Sequence, residues 1–89
     1  MFQKDIEIKN KLGLHARAAA KLVHAAARFK SSIKIRKGNE EVGAKSILGI
    51  LLLAAGPGTV ITLAATGDDE TQAIESIEAL IDSKFDEVE

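Results

Sequence analysis

The sequence lacks cysteine, tryptophan and tyrosine, and it has one proline among 89 residues. Without cysteine, the chain can form neither a disulfide nor a thiolate metal site. Three phenylalanines are too few for the aromatic platform on which single-stranded nucleic acids stack. The longest apolar run, 47–55, is interrupted by Gly49 and is shorter than the roughly 20 residues that cross a bilayer. We therefore expect no membrane insertion and no bound nucleic acid.

Length and composition predict one folded domain over residues 1–89, because 46% of the residues are hydrophobic. A domain of this size has a thin core and buries only about 60–65% of its unfolded surface. The first residues show no basic and then apolar signal segment, so we expect a cytoplasmic protein. The two histidines, His15 and His24, are nine residues apart and on opposite sides of the predicted helix, so no metal site is expected.

Charge is divided unevenly between the two halves of the chain. Residues 1–45 carry eleven Lys or Arg against four Asp or Glu, a balance of +7. Residues 46–89 carry one against nine, a balance of −8. A basic half can bind nucleic acid, but the net charge of −1 favours a basic docking face for an acidic protein partner.

Hydrophobic spacing predicts seven elements in the order β-α-β-β-α-β-α. Strands are predicted over 2–8, 32–37, 40–44 and 60–66, and helices over 16–29, 47–53 and 70–83. The strands alternate in hydrophobicity, which is typical of a sheet exposed to water on one face and covered by helices on the other. The fold class is therefore α+β in two layers.

The first and third helices are each predicted to have one apolar stripe, which in the third helix contains Ala73, Ile74, Ile77, Leu80 and Ile81. In the first helix the stripe contains Ala18, Ala19, Leu22, Ala26 and Phe29, and the opposite face contains Arg17, Ala20, Lys21, His24 and Arg28. The short helix over 47–53 is too apolar to bury every side chain, so part of it must face solvent.

His15 is predicted to lie where a loop becomes the first helix. The start of a helix has free N–H groups and a partial positive charge, which suit an anion. An imidazole at this place can accept a phosphoryl group, and Arg17 could contact the phosphate. A histidine at a helix start can equally be a cap or an idle surface residue. Ser46, which begins the second predicted helix, can likewise be a simple N-cap.

Several motifs together resemble the HPr family, the histidine phosphocarriers of the bacterial sugar phosphotransferase system. They are Gly-Leu-His-Ala-Arg at 13–17, Lys-Ser-Ile-Leu-Gly at 45–49, Gly-Pro-Gly at 56–58 and the strand that follows. The resemblance covers nearly the whole chain. It implies an open-faced β-sandwich, in which a four-stranded antiparallel sheet of order 1-4-2-3 is covered on one face by three helices. One departure is Ala18, where the family usually has proline.

The resemblance also implies the roles of particular residues. His15 matches the phosphorylated histidine and Arg17 its partner. Enzyme I, which itself uses phosphoenolpyruvate and magnesium, would donate the phosphoryl group, and an enzyme IIA of the sugar or nitrogen branch would accept it. Ser46 matches a regulatory serine that an HPr kinase phosphorylates in some bacteria. The residues expected to contact partners are Ala16, Ala20, His24, Ile47, Leu48 and Leu51.

The resemblance implies a monomeric carrier without a cofactor, not an enzyme that turns over a small molecule alone. Two alternatives stay open at this point. The chain could be a regulatory module of the same fold that acts through phosphorylated Ser46, or an unrelated nucleic-acid binder. His24 could also be no more than a solvated surface residue, and Leu48 and Leu51 could be core.

Overall fold

The structure is a computed structural model that describes residues 1–86. Over this range the chain forms four strands, three α-helices and a short 3₁₀ turn. The elements are β1 (Phe2–Glu7), α1 (Ala16–Ala27), β2 (Ser32–Lys37), β3 (Glu40–Gly43), α2 (Ile47–Leu53), β4 (Val60–Thr66), α3 (Glu70–Asp82) and the 3₁₀ turn Lys84–Asp86. The predicted order of strands and helices is confirmed.

The four strands form one antiparallel sheet in the order β1-β4-β2-β3. β4 lies between β1 and β2, the two strands that are most distant from it in sequence. Ile61 is opposite Ile6 of β1, and Leu63 is opposite Ile35 of β2. All four of these side chains are buried, so one face of the sheet is apolar. The predicted order 1-4-2-3 is thus confirmed.

The core lies between this apolar face and the three helices. α1 buries Ala18, Ala19, Leu22 and Ala26, and α3 buries Ala73, Ile74, Ile77 and Ile81. Small alanine side chains allow α1 to pack closely against α2 and α3, since each fully buried residue must be matched by neighbouring atoms without voids. The predicted stripes are confirmed except at Phe29 and Leu80, which are only half-buried.

Four elements end earlier than predicted. β1 ends at Glu7, α1 at Ala27, β3 at Gly43 and α3 at Asp82. The largest difference is at the end of α1, where the N–H groups of Arg28 and Phe29 donate to the carbonyls of Ala25 and Ala26. These bonds span three residues rather than four, so the helix tightens and stops. Phe29 therefore lies beyond the helix.

The segment after α3 was not predicted to be structured, yet it completes the core. Phe85 is fully buried, although residues 84–86 all have positive φ values between 57° and 58°. The ammonium of Lys21 donates a hydrogen bond to the Phe85 carbonyl, which ties the segment to α1. Among residues 1–86, no helix is long and apolar enough to cross a bilayer.

Candidate functional site

His15 is the N-cap residue of α1. Its backbone is extended (φ −78°, ψ 179°), and its carbonyl accepts the first helical hydrogen bond from the Ala19 N–H at 2.8 Å. The imidazole is half-buried, and it makes no capping hydrogen bond to the helix. The His15 side chain is thus carried by the helix start without serving as its cap.

A tight turn places His15. The amide of buried Asn10 donates to the Gly13 carbonyl at 2.7 Å, and the Gly13 N–H donates to the Asn10 carbonyl at 3.1 Å. Gly13 has a φ of 66°, which is accessible to glycine without steric cost. These reciprocal bonds close the loop immediately before the imidazole.

The turn is also fixed from outside, by the loop between α2 and β4. The Leu14 N–H donates to the Ala55 carbonyl at 2.9 Å. A methyl group on Gly13 would lie 2.5 Å from that carbonyl oxygen and 2.8 Å from Gly56 Cα. Since no side chain fits here, position 13 must be glycine for backbone contact as well as for φ.

The first turn of α1 presents a positive environment. It contains no acidic residue, and Arg17 is exposed two positions after His15. The N–H groups of the first turn have no intrahelical acceptor, so they remain available to an anion. Ala18 is fully buried in this turn. Its N–H is one of these groups, so proline in its place would remove no bond from the helix.

Ser46 caps α2, as predicted. Its hydroxyl accepts a hydrogen bond from the Gly49 N–H at 3.1 Å, and the residue is exposed. The neighbouring Lys45 ammonium donates to the Phe29 carbonyl at 2.9 Å, so Lys45 holds the loop after α1. Ser46 is accessible and already oriented at a helix start.

α2 exposes four of its six apolar side chains. Ile47, Leu48 and Leu51 have exposed fractions of 42%, 69% and 36%, whereas Ile50 and Leu53 are buried. This exposed strip lies on a helix that packs directly against α1. Leu48 and Leu51 are therefore not core residues.

Further residues place the candidate site or extend its surface. Leu12 and Leu52 are each 68% exposed, beside Gly13 and at the end of α2. Sequence analysis did not select them, nor Asn10 and Ala55, which hold the turn. The one available signal was Leu12, an apolar residue before Gly13 in a predicted loop. On α1, Ala16 and His24 are exposed and Ala20 is half-buried.

Comparison with known proteins agrees with this geometry. Residues 2–83 match the family model described as the PTS HPr component phosphorylation site. The phosphocarrier protein HPr of Cupriavidus necator is 48% identical, and the alignment covers all of both chains. The phosphocarrier protein NPr of Shewanella violacea is 47% identical over 96% of this chain and 93% of its own.

Similarity extends to solved structures. The crystal structure of an HPr from Thermoanaerobacter tengcongensis superposes with a TM-score of 0.96 at 50% identity, covering all of both chains. Because the match spans the four strands, the three helices and the segment around His15, it is a match of the whole fold. The chain belongs to the HPr family of phosphocarrier proteins of the phosphotransferase system.

Proposed function

We propose that His15 is the residue that carries the phosphoryl group. The observation that supports this most directly is the placement of a half-buried imidazole on the N-cap of α1 without a capping role. The Asn10–Gly13 turn and the Ala55 carbonyl position the backbone that leads into His15, and the residue is half-buried rather than enclosed. A nucleophile needs this combination of fixed position and access.

The transfer is a displacement at phosphorus. A neutral imidazole nitrogen of His15 forms a bond to phosphorus while the bond between phosphorus and the donor's leaving group breaks, and that group keeps the electron pair. The reverse displacement on the acceptor regenerates the imidazole. Phosphate oxygens on His15 would be stabilised by the N–H groups of the first turn and by the Arg17 guanidinium, through charge-assisted hydrogen bonds. No cofactor of this chain enters the reaction.

The partners that we propose are enzyme I as donor and an enzyme IIA as acceptor. A protein that reaches His15 must also cover the surface around it, which offers exposed Ile47, Leu48 and Leu51 on α2. Ala16 and Ala20 on α1 are small enough to let a partner backbone approach, and His24 lies at the margin. Apolar contact would supply affinity, and the basic charge of α1 would orient encounter.

We further propose that phosphorylation of Ser46 by an HPr kinase regulates docking. A phosphate on this exposed N-cap would be stabilised by the start of α2 and would place negative charge next to the apolar docking residues. The exposed hydroxyl also favours the second candidate function, a regulatory module that binds another protein through phosphorylated Ser46. Both uses are compatible with one chain.

The proposed partners also imply where the protein acts and in which oligomeric state. A carrier that meets enzyme I and an enzyme IIA would act in the cytoplasm, in the sugar or the nitrogen branch. We propose a monomer as the working form, because a partner must cover the surface around His15. The HPr of T. tengcongensis has also been crystallised as a dimer, and that chain is 52% identical to this one. Sedimentation at working concentration tests this part of the proposal.

The experiment that tests the carrier role uses intact-protein mass spectrometry. The chain is incubated with enzyme I, magnesium and phosphoenolpyruvate, beside His15→Ala and the matched control His24→Ala. We expect one phosphoryl group on the parent and on His24→Ala, none on His15→Ala, and loss of the group in acid but not in base. Phosphorylated His15→Ala protein would refute the assignment.

A second experiment tests Ser46. Ser46→Asp should weaken binding to enzyme I several-fold, because the carboxylate repels a partner that seeks basic charge. Ser46→Ala loses the cap, at about 1 kcal/mol of stability, but it should retain binding. Titration calorimetry with enzyme I compares the two. Equal affinity for Ser46→Asp and Ser46→Ala would remove the regulatory proposal and leave the carrier role intact.

A further inference from the structure

An open groove runs between α1 and α3. The described residues that line it come from these two helices and from the segment after α3, and none belongs to α2. The α1 wall carries Arg17, Lys21, His24 and Arg28. The α3 wall is largely uncharged and presents Ser76, Ala79, Leu80 and Ser83. One wall is thus basic and the other is small, neutral and partly apolar.

The basic side chains follow one line along α1. Their spacing of four, three and four residues matches the helical repeat, so neighbouring side chains are about one turn, or ~5–6 Å, apart. From the first to the last, the line extends ~16 Å along the helix. It therefore forms a row rather than a cluster that converges on one point.

Within residues 1–86, no carboxylate pairs with the cations Arg17, Lys21 and Arg28 of this row. Lys21 donates to the Phe85 carbonyl and Arg28 to the Ser76 hydroxyl at 3.0 Å, both of which are uncharged acceptors. Within residues 1–86, none of the four side chains of the row forms a salt bridge, and Asp86 is the one carboxylate among the lining residues.

Two of the four acidic residues of α3 form ion pairs with lysines outside the groove. Glu78 pairs with Lys4 of β1 at 2.8 Å, and Asp82 pairs with Lys9 at 2.8 Å. These pairs draw two α3 carboxylates toward β1. The positive potential of the α1 row is therefore left facing an open groove, although the whole chain carries a net charge of −1.

We infer that this groove binds an acidic amphipathic helix of a partner protein. Glutamates spaced four, three and four residues apart on such a helix would each meet one member of the α1 row. Small apolar side chains beside them would pack on Ala79 and Leu80. Arg28 and Lys21 keep further N–H donors beyond the one that each has used, so carboxylates can bind without breaking existing contacts.

The shape of the row selects this occupant over two others. A small phosphorylated ligand needs cations that converge on it, and here they are spread over ~16 Å. A nucleic-acid strand would have no tyrosine or tryptophan on which to stack its bases, because the sequence contains neither. Binding at the groove does not require that His15 be phosphorylated, so the inference is independent of the proposed carrier reaction.

The test is a titration of the full-length, ¹⁵N-labelled protein followed by NMR. The probe is a capped helical peptide of about 16 residues, with glutamates at the four-three-four spacing and alanine or leucine beside them. A scrambled peptide of the same composition is the control. We expect shift changes in residues 17–28 and 76–83 with the patterned peptide, much weaker binding of the scrambled one, and loss of both at high salt.

Two groove variants and one matched control complete the test. Arg28→Glu and Ala79→Glu should each weaken binding of the patterned peptide about fivefold. Arg36→Glu, an identical charge reversal on an exposed sheet residue, should leave it unchanged. The inference is overturned if the scrambled peptide binds equally, if the shifts map to α2, if a short oligonucleotide or a bisphosphate binds better, or if no shifts appear.

Discussion

Gly13 is the residue on which the position of His15 depends most directly. A methyl group there would meet the Ala55 carbonyl at 2.5 Å, and the residue has a φ of 66°. Gly13→Ala should therefore reduce the free energy of unfolding by about 3 kcal/mol, from the backbone penalty plus overpacking. Urea denaturation measures the loss, and phosphorylation by enzyme I should slow with it.

Gly38→Ala is the matched control. Gly38 has a similar φ of 60°, but nothing lies within 4 Å of the added methyl group. Only the backbone penalty of about 1 kcal/mol remains. Equal losses in the two variants would show that contact with Ala55 does not hold the turn.

At the residue scale, sequence reasoning located His15 and Ser46 at helix starts, and the structure confirms both places. Both positions follow from local signals, namely the loop before α1 and a preferred cap before α2. It did not find Asn10, which bonds Gly13 within the loop, or Ala55, whose carbonyl accepts from the Leu14 N–H 41 residues earlier in the chain. No local spacing encodes such a contact.

Among the elements, α3 and the start of β2 are joined through Asp69. Its carboxylate accepts hydrogen bonds from the Ser31 hydroxyl, the Lys30 N–H at 2.9 Å and the Ser31 N–H at 3.0 Å. The Ser31 hydroxyl and then the Lys30 N–H lower the pKa of Asp69 below its ordinary value of 3.8. Asp69 is the N-cap residue of α3, yet its side chain bonds the loop before β2 instead of the helix.

This arrangement predicts acid sensitivity. A carboxyl with a lowered folded pKa stabilises the protein fully above pH 3.8, and that stabilisation is lost as the pH falls through the folded pKa. Asp69→Asn should therefore be less stable at neutral pH and should lose less stability between neutral pH and pH 3. Urea midpoints across pH for the parent, Asp69→Asn and the exposed neighbour Asp68→Asn test this. The prediction is refuted if Asp69→Asn loses as much stability between neutral pH and pH 3 as the parent does.

Element types and order were predictable because hydrophobic period distinguishes a half-buried strand from an amphipathic helix. The ends of the elements were less predictable. α1 was predicted to reach Phe29 because that residue continues the apolar spacing. The helix instead ends two residues earlier, because its last hydrogen bonds span three residues rather than four. The spacing shows which side chains face inward, and it does not show where backbone bonding changes.

At the scale of the whole molecule, Phe85 joins both helices of the groove to the core. It is fully buried, although residues 84–86 adopt the left-handed region without glycine. Phe85→Ala should lower the free energy of unfolding by about 3 kcal/mol, at the lower end for such a cavity because the strained turn can relax. Phe29→Ala, at a half-buried phenylalanine, should cost less.

Chemical denaturation compares these two variants. An unchanged midpoint for Phe85→Ala would mean that the segment after α3 is not docked in solution.

Burial at position 85 fits the spacing of Ile77 and Ile81, so the sequence contained a signal for it. No signal in the sequence indicated the run of three positive φ values, because Lys84 and Phe85 are residue types that rarely adopt that conformation. The alternation of hydrophobic and polar residues predicted a sheet, whereas the order of its strands was predicted from the family resemblance.

The pairing of β1 with β4 also sets the order of events during synthesis. Phe2 pairs with Ala65 and Glu7 with Val60, so the first strand has no partner until more than 50 further residues have been made. At roughly 5–20 residues per second, this delay lasts on the order of 3–10 s. The turn before His15 needs Ala55 as well. In a nascent chain, the turn that holds His15 is therefore completed only late in translation, and a chain truncated before Ala55 cannot form it.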